Sequence, residues 1–365
     1  MTNTLRFQHV SVRSFRNLTK VEIEPADRLN VVAGDNGQGK TSLLEALYVT
    51  ATTRSFRSDR VKDVVRDGDE FATTIARIVE AGQIYEQRSV IGKNARSFLL
   101  DGRKADRLAV FATRTPVVVF HPGDISLVSG SAALRRTLLD RVALHADHDS
   151  GDDRSRYTRA LRERQRVLDE RGARAADLDV FEQLMSDHGT RFARARRAAA
   201  DRLIAALEPA FSKTAGRDLE LVATYRPGGC EDADEFRREL RDARERDARR
   251  HCATFGPQRD ELYLELNGRS SRNHASQGQQ RILTLAVKLA ELTCVREARG
   301  AHPVLLLDDV SSELDPKRTG AVYDFLRSTE SQVFVTTTRP ELFSTPGITP
   351  EERADWRLDS GILAD

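Results

Sequence analysis

The sequence lacks any long apolar run. A helix that crosses a membrane needs roughly 18 consecutive apolar residues, whereas the longest runs here, Val117–Phe120 and Val304–Leu307, have the length of interior strands. Residues 1–10 also lack the charged start, apolar middle and small-residue cleavage site of a signal peptide. These absences exclude a transmembrane role and predict a cytoplasmic protein with no membrane partner.

Cysteine is scarce as well. The 365 residues include three cysteines, Cys230, Cys252 and Cys294, and these show none of the close pairings that disulfide frameworks and cysteine-based metal sites use. Hydrophobic residues make up 39% of the chain, which is enough for about two or three packed domains. The composition therefore indicates a globular protein and agrees with a cytoplasmic location.

Arginine dominates the positive charge. Of the 58 Lys and Arg residues, 50 are Arg, while the formal net charge is only +2. The planar guanidinium group suits phosphates. A GC-rich genome produces the same bias, so the arginine content alone does not establish nucleic-acid binding.

The sequence pattern divides the chain into three parts. The first part is mostly strand, with apolar runs such as residues 5–12 and 29–33, and the last part combines strands with helices such as residues 279–299 and 319–326. The middle part is dense in Arg, Ala, Asp and Glu, a composition that favours helices. We therefore predict an α/β unit formed by residues 1–121 and 253–365, with a mainly helical insertion at residues 122–252.

The insertion contains one long amphipathic helix. Apolar side chains recur at steps of three and four residues from Leu178 to Leu207, and Pro209 predicts the end of the helix. A preceding helix is expected to end near Arg171-Gly172, so an antiparallel helical hairpin is the economical interpretation. His188 lies on the apolar seam, where we predict a packing role rather than a ligand role.

The strongest local pattern is a phosphate-binding loop. A glycine, four residues and then Gly-Lys-Thr follow an apolar strand and precede an apolar helix. The loop comprises Gly34, Asp35, Asn36, Gly37, Gln38, Gly39, Lys40 and Thr41. Its backbone N–H groups can surround phosphate oxygens, and the helix start adds partial positive charge. We predict that Lys40 contacts the β- and γ-phosphates of a nucleoside triphosphate and that the Thr41 hydroxyl binds Mg²⁺.

A second pattern supplies the other magnesium ligand. The run Val304–Leu307 ends in Asp308 and Asp309, and a carboxylate at the tip of a buried strand needs a cation or hydrogen-bond donors. We assign Asp308 to the Mg²⁺ shell. Asp309 points elsewhere and is the candidate for positioning the attacking water. The long separation from the phosphate loop fits a nucleotide fold that is split by an insertion.

A second phosphate cradle precedes the long helix of the last part. The run Ser276-Gln277-Gly278-Gln279 opens that helix and presents backbone N–H groups, a hydroxyl and a helix dipole to an anion. One chain needs only one such cradle. We therefore predict a head-to-tail dimer in which Ser276 and Gly278 of one subunit cap the γ-phosphate held by Lys40 of the other.

The order of these motifs resembles a known family. The phosphate loop, the Ser-x-Gly-Gln helix, the carboxylate strand and the run Val310-Ser311-Ser312-Glu313-Leu314-Asp315 resemble the SMC-type ATP-binding-cassette (ABC) ATPases. The closer resemblance, over nearly the whole length, is to the RecF family of bacterial recombination mediators. It rests on these motifs and on Ser14-Phe15-Arg16-Asn17, Leu44-Glu45-Ala46, Arg54-Ser55-Phe56-Arg57, Pro122-Gly123-Asp124, Arg135-Arg136-Thr137-Leu138-Leu139-Asp140 and Gly256-Pro257-Gln258-Arg259-Asp260.

The resemblance implies an SMC-like ABC-ATPase head with a P-loop core plus an inserted, mainly helical domain. It implies that the phosphate loop binds ATP and Mg²⁺ through Lys40 and Thr41, and that Asp308 is the Walker B carboxylate. Ser276, Gly278 and Gln279 then belong to the cassette signature, and Asp315 lies in a loop at the dimer interface. The implied catalytic residues are Lys40, Asp308, Asp309 and Ser276.

The resemblance also implies partners. It predicts an ATP-dependent homodimer on double-stranded and gapped DNA that acts with RecR and RecO to load recombinase in DNA repair, replication and the SOS response to DNA damage. Two Arg-rich subunits present twice the phosphate-contacting surface of one, so DNA affinity is expected to rise with dimerisation and to fall with salt. We predict DNA contacts at Arg54, Arg57, Arg135 and Arg136. For Arg135 and Arg136, a helix that is solvated or salt-bridged between domains is at least as good an interpretation.

Three departures from cassette transporters predict weak ATP hydrolysis, and we expect DNA to stimulate it because the protein is predicted to bind DNA. Asp309 stands where transporters usually carry Glu, Thr336 begins a threonine run where they often carry His, and His121 holds the expected glutamine-loop position. Two alternatives remain, namely an ABC transporter ATPase subunit and the head of an SMC-type structural DNA tether. The first needs features that couple to a membrane subunit, and the second needs coiled-coil arms of several hundred residues.

Overall fold

The computed structural model describes residues 5–215, 219–309, 329–343 and 348–364. The strands are β1 (Leu5–Phe15), β2 (Leu18–Ile23), β3 (Leu29–Ala33), β4 (Phe71–Glu80), β5 (Gln83–Gly92), β6 (Arg96–Leu100), β7 (Arg103–Lys104), β8 (Val117–Phe120), β9 (Leu221–Arg226), β10 (Glu261–Leu266), β11 (Arg269–Ser270), β12 (Val304–Leu307), β13 (Val333–Thr337), β14 (Arg353–Asp359) and β15 (Ile362–Leu363). The helices are α1 (Lys40–Thr52), α2 (Leu108–Arg114), α3 (Ser126–Ser129), α4 (Ala132–Ala146), α5 (Asp149–Arg171), α6 (Leu178–Ala215), α7 (Ala233–Arg250), α8 (Ser271–His274) and α9 (Gln277–Arg299).

The chain forms two compact units, Met1–Asp124 with Val295–Asp365, and Ile125–Cys294. The first boundary lies close to the predicted limit at residue 121. Residues 253–294, which the sequence pattern grouped with the last part of the chain, pack in the second unit instead. The reason is that β10 pairs with β9 along its whole length and α9 shares an apolar core with α4 and α6.

The first unit contains a twelve-stranded sheet in the order β7-β6-β5-β4-β1-β2-β15-β14-β3-β13-β12-β8. Strands β14, β3, β13, β12 and β8 pair in parallel. The sequence of β12 is wholly apolar, and that of β3 is apolar except for the buried Asn30, because these strands are buried on both faces. The parallel register brings the end of β3, where the phosphate loop begins, to the same edge of the sheet as the end of β12, which Asp308 follows.

The other half of this sheet, from β7 to β2, is antiparallel. Alternate residues of β1, β4 and β5 are buried, while the residues between them are partly or fully exposed. Helix α1 contributes Leu43, Leu44 and Leu47 to the core that contains the buried residues of β1 and β4. This alternation is typical of a sheet with one face on the core and the other towards solvent.

The second unit is mainly helical. Helices α5 and α6 pack together as a hairpin, and α5 ends where Gly172 takes a φ of 79°. The sequence predicts an end near Pro209 for the second helix, but α6 continues past this residue to Ala215. Leu207 and Phe211 are buried on either side of the proline, and this packing sustains the helix where the proline N–H is missing.

Buried arginines fasten the helices of the second unit. Arg164 of α5 is fully buried and donates hydrogen bonds to Glu182 of α6 at 3.0 Å and to Asp247 of α7 at 2.7 Å. It also donates to the carbonyl oxygen of Leu240 at 2.7 Å. One cation therefore joins three helices.

A second network surrounds Asp260, just before β10. Arg196 of α6 donates to Asp260 and to Asp140 of α4, both at 2.7 Å. Asp260 also accepts from the Tyr225 hydroxyl at 2.7 Å and from the backbone N–H of Gly228 at 2.8 Å. The segment around Asp260 therefore has a structural function in joining the small sheet to the helices.

Among the described residues, no helix has both the length and the apolar character needed to cross a membrane. The predicted helix at residues 319–326 and the run at residues 310–315, which includes Asp315, lie outside the described residues.

Candidate nucleotide-binding site

The phosphate loop joins β3 to α1. Gly34 has a φ of 152° and Gly39 a φ of 108°. A Cβ atom at Gly34 would lie 2.5 Å from the carbonyl oxygen of Leu358, and one at Gly39 would lie 2.6 Å from the Leu18 side chain. Glycine is therefore required at both positions, where the loop passes close to β14 and β2.

Lys40, the first residue of α1, reaches back to the loop. Its Nζ donates to the carbonyl oxygens of Gly34 at 2.7 Å and Asp35 at 2.8 Å. Burial lowers the pKa of the Lys40 ammonium from its usual value, while three nearby carboxylates oppose this change. Because a charged phosphate is a stronger acceptor for an ammonium than a carbonyl oxygen, a bound nucleotide can replace these two contacts.

Thr41 and Asp308 are in contact although 267 residues separate them. The Thr41 hydroxyl donates to Asp308 Oδ1 at 2.9 Å, and the Thr336 hydroxyl donates to the same oxygen at 2.8 Å. Both predicted Mg²⁺ ligands therefore lie at one point. Within the described residues, no cluster of three or more His, Cys, Asp or Glu could hold a metal. This arrangement fits Mg²⁺, which takes few protein ligands and completes its shell with water and phosphate oxygens.

Asp309 follows Asp308 in a conformation that is uncommon for a residue other than glycine. Its φ is 49°, and its backbone N–H donates to Thr336 Oγ1 at 2.9 Å. Thr336 thus holds both aspartates at the end of β12. Both carboxylates line a cleft of about 950 Å³, together with Arg16, Asn17, Asn36, Gly37, Gly39, Lys40, Thr41, Ser42, Arg57, Asp63, Val65, Arg66, Asp67 and Thr336.

Asn17 supports the loop from the turn between β1 and β2. Its Nδ2 donates to the carbonyl oxygen of Gly37 at 2.8 Å, and its Oδ1 accepts from the Ser42 hydroxyl at 2.8 Å. The sequence patterns gave Asn17 no chemical role. The only signal was its place in a segment that resembles the RecF family, because its contact with the loop arises from the folded sheet.

A buried carboxylate lies behind the loop. Glu45 of α1 is 0% exposed and accepts two hydrogen bonds from Arg16, at 3.0 and 2.7 Å, and one from the Ser55 hydroxyl at 2.5 Å. Arg57 approaches the same carboxylate at 3.3 Å, with its side chain 44% exposed. The predicted DNA contact Arg57 therefore lines the nucleotide cleft, whereas Arg54 is exposed in the same segment.

The turn at residues 359–361 supports the other side of the loop. The backbone N–H of Ser360 donates to Gln38 Oε1 at 2.5 Å, and that of Gly361 donates to the Gln38 carbonyl oxygen at 3.2 Å. A Cβ atom on Gly361 would lie 2.0 Å from the carbonyl oxygen of Asn17. The Gln38 side chain, predicted to contact the nucleotide, is used here to hold this turn.

The predicted signature residues begin α9. The backbone N–H of Ser276 donates to Gln279 Oε1 at 2.8 Å, and the backbone N–H of Gln279 donates to Ser276 Oγ at 3.2 Å. This reciprocal pair is a capping box. Gly278 lies in the first helical turn, where backbone N–H groups have no acceptor within the helix. The sequence therefore forms a helix start that can face an anion.

Arg135 and Arg136 have internal partners in the second unit. Arg135 is 5% exposed and donates to both carboxylate oxygens of Glu261, at 2.8 and 3.0 Å, and to the Leu127 carbonyl oxygen at 2.9 Å. Arg136 donates to the Asp260 carbonyl oxygen at 3.0 Å, and burial lowers the pKa of its guanidinium. The ion pair of Arg135 agrees with the alternative of a salt-bridged helix, and the DNA contacts at Arg135 and Arg136 stay a prediction.

Two histidines considered from the sequence have local partners. His121 follows β8, where its ring lies 5.2 Å from the Phe56 ring and its Nδ1 accepts from the backbone N–H of Gly123 at 3.1 Å. His188 is buried in the second unit, with Nδ1 2.7 Å from Asp153 Oδ1. The latter placement fits the predicted packing role.

Comparison with known proteins gives the same family at the level of sequence and of fold. The family described as the RecF/RecN/SMC N-terminal domain matches residues 6–347. The chain is 36% identical to the DNA replication and repair protein RecF of Geobacter sulfurreducens over 361 residues, which cover 97% of this chain and 98% of that protein. It is 35% identical to the protein of the same name from an Anaeromyxobacter species over 369 residues, or 99% of each.

Solved structures are similar over the full length. A structure of the recombination mediator protein RecF with ATP, in the RecFOR pathway, matches with a TM-score of 0.87 and 25% identity over 100% of this chain and 98% of that one. The Smc head domain of Pyrococcus furiosus matches with a TM-score of 0.55 and 15% identity over 99% and 95%, which shows the fold alone. The predicted SMC-like ABC-ATPase fold is thereby confirmed.

Proposed function

The chain belongs to the RecF family of the RecF/RecN/SMC proteins, and on this basis we propose that it is an ATP-dependent DNA-binding protein of recombinational repair and replication-fork maintenance. Two subunits close around ATP and hold double-stranded or gapped DNA as a clamp. Slow hydrolysis, stimulated by DNA, reopens the clamp.

The observation that carries this proposal is the contact between Thr41 and Asp308 at 2.9 Å. It joins a hydroxyl beside the phosphate loop to a carboxylate at the end of a distant strand. A glycine-rich turn that merely connected a strand to a helix would not require this contact. A magnesium-bound triphosphate does require both oxygens at one point.

The residues of the first unit have distinct functions in ATP binding. The loop N–H groups and Lys40 hold the phosphates, and Thr41 and Asp308 hold Mg²⁺. The bound ion supplies charge neutralisation across the β- and γ-phosphates. Asp309, which lines the same cleft, orients the attacking water, and its side chain is one methylene shorter than the Glu of transporters. This difference supports slow hydrolysis, as a switch requires.

A second subunit completes the site. The γ-phosphate held by Lys40 is capped by Ser276, Gly278 and Gln279 at the start of α9 in the other copy. The capping box already fixes the Ser276 hydroxyl at that helix start. Because the nucleotide then binds two subunits at once, dimerisation depends on ATP.

The proposed partners follow from the relatives. The solved structure with a TM-score of 0.87 is described as a recombination mediator of the RecFOR pathway, so we propose RecR and RecO as partners of this chain in loading recombinase. The hairpin of α5, with 23 residues, and α6, with 38 residues, is far shorter than the arms of an SMC tether. The short hairpin therefore supports a DNA clamp rather than an SMC-type structural tether.

Sedimentation with duplex DNA, Mg²⁺ and ATP tests the shared site. We expect the wild-type chain to form dimers only with ATP, and Lys40→Arg to keep its fold but remain monomeric. Ser276→Arg is expected to bind ATP normally while losing dimerisation and hydrolysis. Asn273→Arg is the matched control, since it adds the same charge at an exposed position of α8, and it retains all three properties.

Two outcomes would contradict the proposal. One is a wild-type chain that stays monomeric on DNA with an ATP analogue that resists hydrolysis. The other is a Ser276→Arg variant that loses ATP binding and hydrolysis equally, because that result would place Ser276 in the site of its own subunit. Hydrolysis measured with and without duplex DNA separates the clamp from a transporter subunit, which would not respond to DNA.

A further inference from the structure

The antiparallel half of the large sheet has an outward face whose described side chains are all at least partly exposed. We call it the open face. The strand registers place the following side chains on it: Arg6, His9, Ser11, Arg13, Lys20, Glu22, Phe71, Thr73, Ile75, Arg77, Val79, Ile84, Glu86, Arg88, Val90, Ser97, Leu99 and Lys104. Cations outnumber carboxylates on this surface.

Some of these cations are already paired. Arg6 forms an ion pair with Asp27, and Arg88 lies 3.3 Å from Glu86. The Glu22 carboxylate lies 3.0 Å from His9. Among the described residues, no carboxylate lies within ion-pair distance of the four remaining cations, which are Arg13, Lys20, Arg77 and Lys104.

Two of the four remaining cations are direct neighbours. Arg13 of β1 lies opposite Lys20 of β2 in the antiparallel register, and both side chains are exposed. Opposite residues on one face have Cβ atoms about 4.5–5.5 Å apart, and like charges in this arrangement repel each other. An anion between them removes that repulsion, so this pair favours a negatively charged ligand.

The other cations extend the positive surface across the sheet. Arg77 lies on β4, next to β1 and opposite Glu86 of β5, and Lys104 lies on β7 at the sheet edge. With strands spaced about 4.8 Å apart, the distance from Lys20 on β2 to Lys104 on β7 is roughly 24 Å, or five strand spacings. A single phosphate cannot span this distance, whereas the regularly spaced phosphates of a nucleic acid can.

We propose that the open face is a DNA-contact surface, on which Arg13, Lys20, Arg77 and Lys104 bind the phosphate backbone of the duplex. This inference rests on the proposed function and assigns its DNA contacts to residues that are far apart in sequence. Contacts with phosphates carry no base information, so binding on this face is independent of sequence.

The test compares two triple variants of the full chain. Arg13→Gln/Lys20→Gln/Arg77→Gln removes three cations of the open face. Arg159→Gln/Arg162→Gln/Arg166→Gln removes three exposed cations of α5 and changes the net charge equally. Binding of a fluorescent duplex is measured by anisotropy with ATP and Mg²⁺ at several salt concentrations. Circular dichroism and ATP-dependent sedimentation show that each variant is folded and dimerises.

We expect the open-face variant to bind DNA at least tenfold more weakly than the control variant at about 0.15 M salt. The slope of log K against log salt is negative, and it is expected to become less steep by about 2.7 for each subunit, or about 0.9 for each lost phosphate contact. Equal affinities and slopes for the two variants would overturn the inference, and would also be the result if this face bound an acidic protein. Failure of the wild-type chain to bind DNA at all would instead contradict the proposed function.

Discussion

The buried arginines of the second unit and the exposed cations of the open face differ in their partners. In the second unit, Arg135, Arg164 and Arg196 are buried, and each binds at least one carboxylate. On the open face of the first unit, Arg13 and Lys20 are exposed and lie opposite each other. Buried arginines therefore join structural elements, while the exposed pair remains available to a ligand. The number of arginines does not locate a phosphate-binding surface, but their pairing in the fold does.

The largest expected effect is the loss of a buried arginine. Arg164→Met leaves Glu182 and Asp247 as buried carboxylates without their cation, and is expected to lower the free energy of unfolding by about 3–5 kcal/mol. Thermal unfolding followed by circular dichroism measures this loss. Arg166→Met, on the same helix with a side chain that is 63% exposed, is the control and is expected to change stability by less than about 1 kcal/mol. Equal losses would remove the distinction between the two kinds of cation.

The buried carboxylate of Glu291 in α9 makes the stability of the second unit depend on pH. Burial alone would raise the pKa of Glu291, but Arg141 and Lys288 lower it to about 2. A lowered pKa contributes stability above the unfolded value of 4.5, and this contribution is lost as the pH falls through 2. It amounts to roughly 3 kcal/mol at neutral pH.

Glu291→Gln is expected to have a lower free energy of unfolding than the wild type at pH 7. This difference in unfolding free energy is expected to become smaller as the pH falls below 4.5. Urea unfolding at a series of pH values measures it. A difference that stayed constant down to pH 2 would mean that the Glu291 charge contributes no stability.

Arg135→Gln separates stability from DNA binding. It removes the two hydrogen bonds to Glu261 and is expected to cost about 1–3 kcal/mol of unfolding free energy, with unchanged DNA affinity at temperatures where the protein is folded. Anisotropy and thermal unfolding on the same preparation measure both. A large loss of DNA affinity would support the prediction that Arg135 contacts DNA.

The smallest expected change in stability is a gain rather than a loss. Lys20→Gln relieves the repulsion from Arg13 and is expected to raise the free energy of unfolding by about 0.2–1 kcal/mol, while DNA binding weakens. Differential scanning calorimetry without DNA measures the gain. A loss of stability would show that the two cations do not repel each other in the free protein.

Local sequence patterns were sufficient for the central part of the site. The phosphate loop is fixed by its own glycines, and Asp308 by the apolar strand that precedes it. The sequence predicts both for one Mg²⁺ site, and they meet because the parallel strands β3, β13 and β12 end at one edge of the sheet. These predictions depend on residues that are close neighbours in sequence or on a general rule of sheet geometry.

Support for the loop depends on strand order, which the sequence does not show. Asn17 reaches Gly37 because of the β1–β2 turn, and Ser360 reaches Gln38 because β14 lies beside β3 and β15 beside β2. The open face is similar, since Arg13 and Lys20 become neighbours only through strand register.

The sequence did contain a signal that Arg135 is buried, but the high arginine content of the chain drew attention to DNA binding instead. Leu138, Leu139 and Val142 lie three, four and seven residues after it and are all buried, so Arg135 falls on the buried stripe of α4. An arginine on such a stripe needs an internal partner. Helical periodicity, rather than the adjacency of two arginines, indicates its structural function.

The position of β3 in the sheet has a consequence for the timing of synthesis. Both of its neighbours, β13 and β14, begin after residue 332. At translation rates of about 5–20 residues per second, roughly 15–60 s pass between the emergence of β3 and that of its first partner. A ribosome-bound chain in this interval carries the phosphate-loop sequence without Thr336 or the strands that flank the loop. Competence to capture ATP therefore arises only after β13 and β14 have been synthesised.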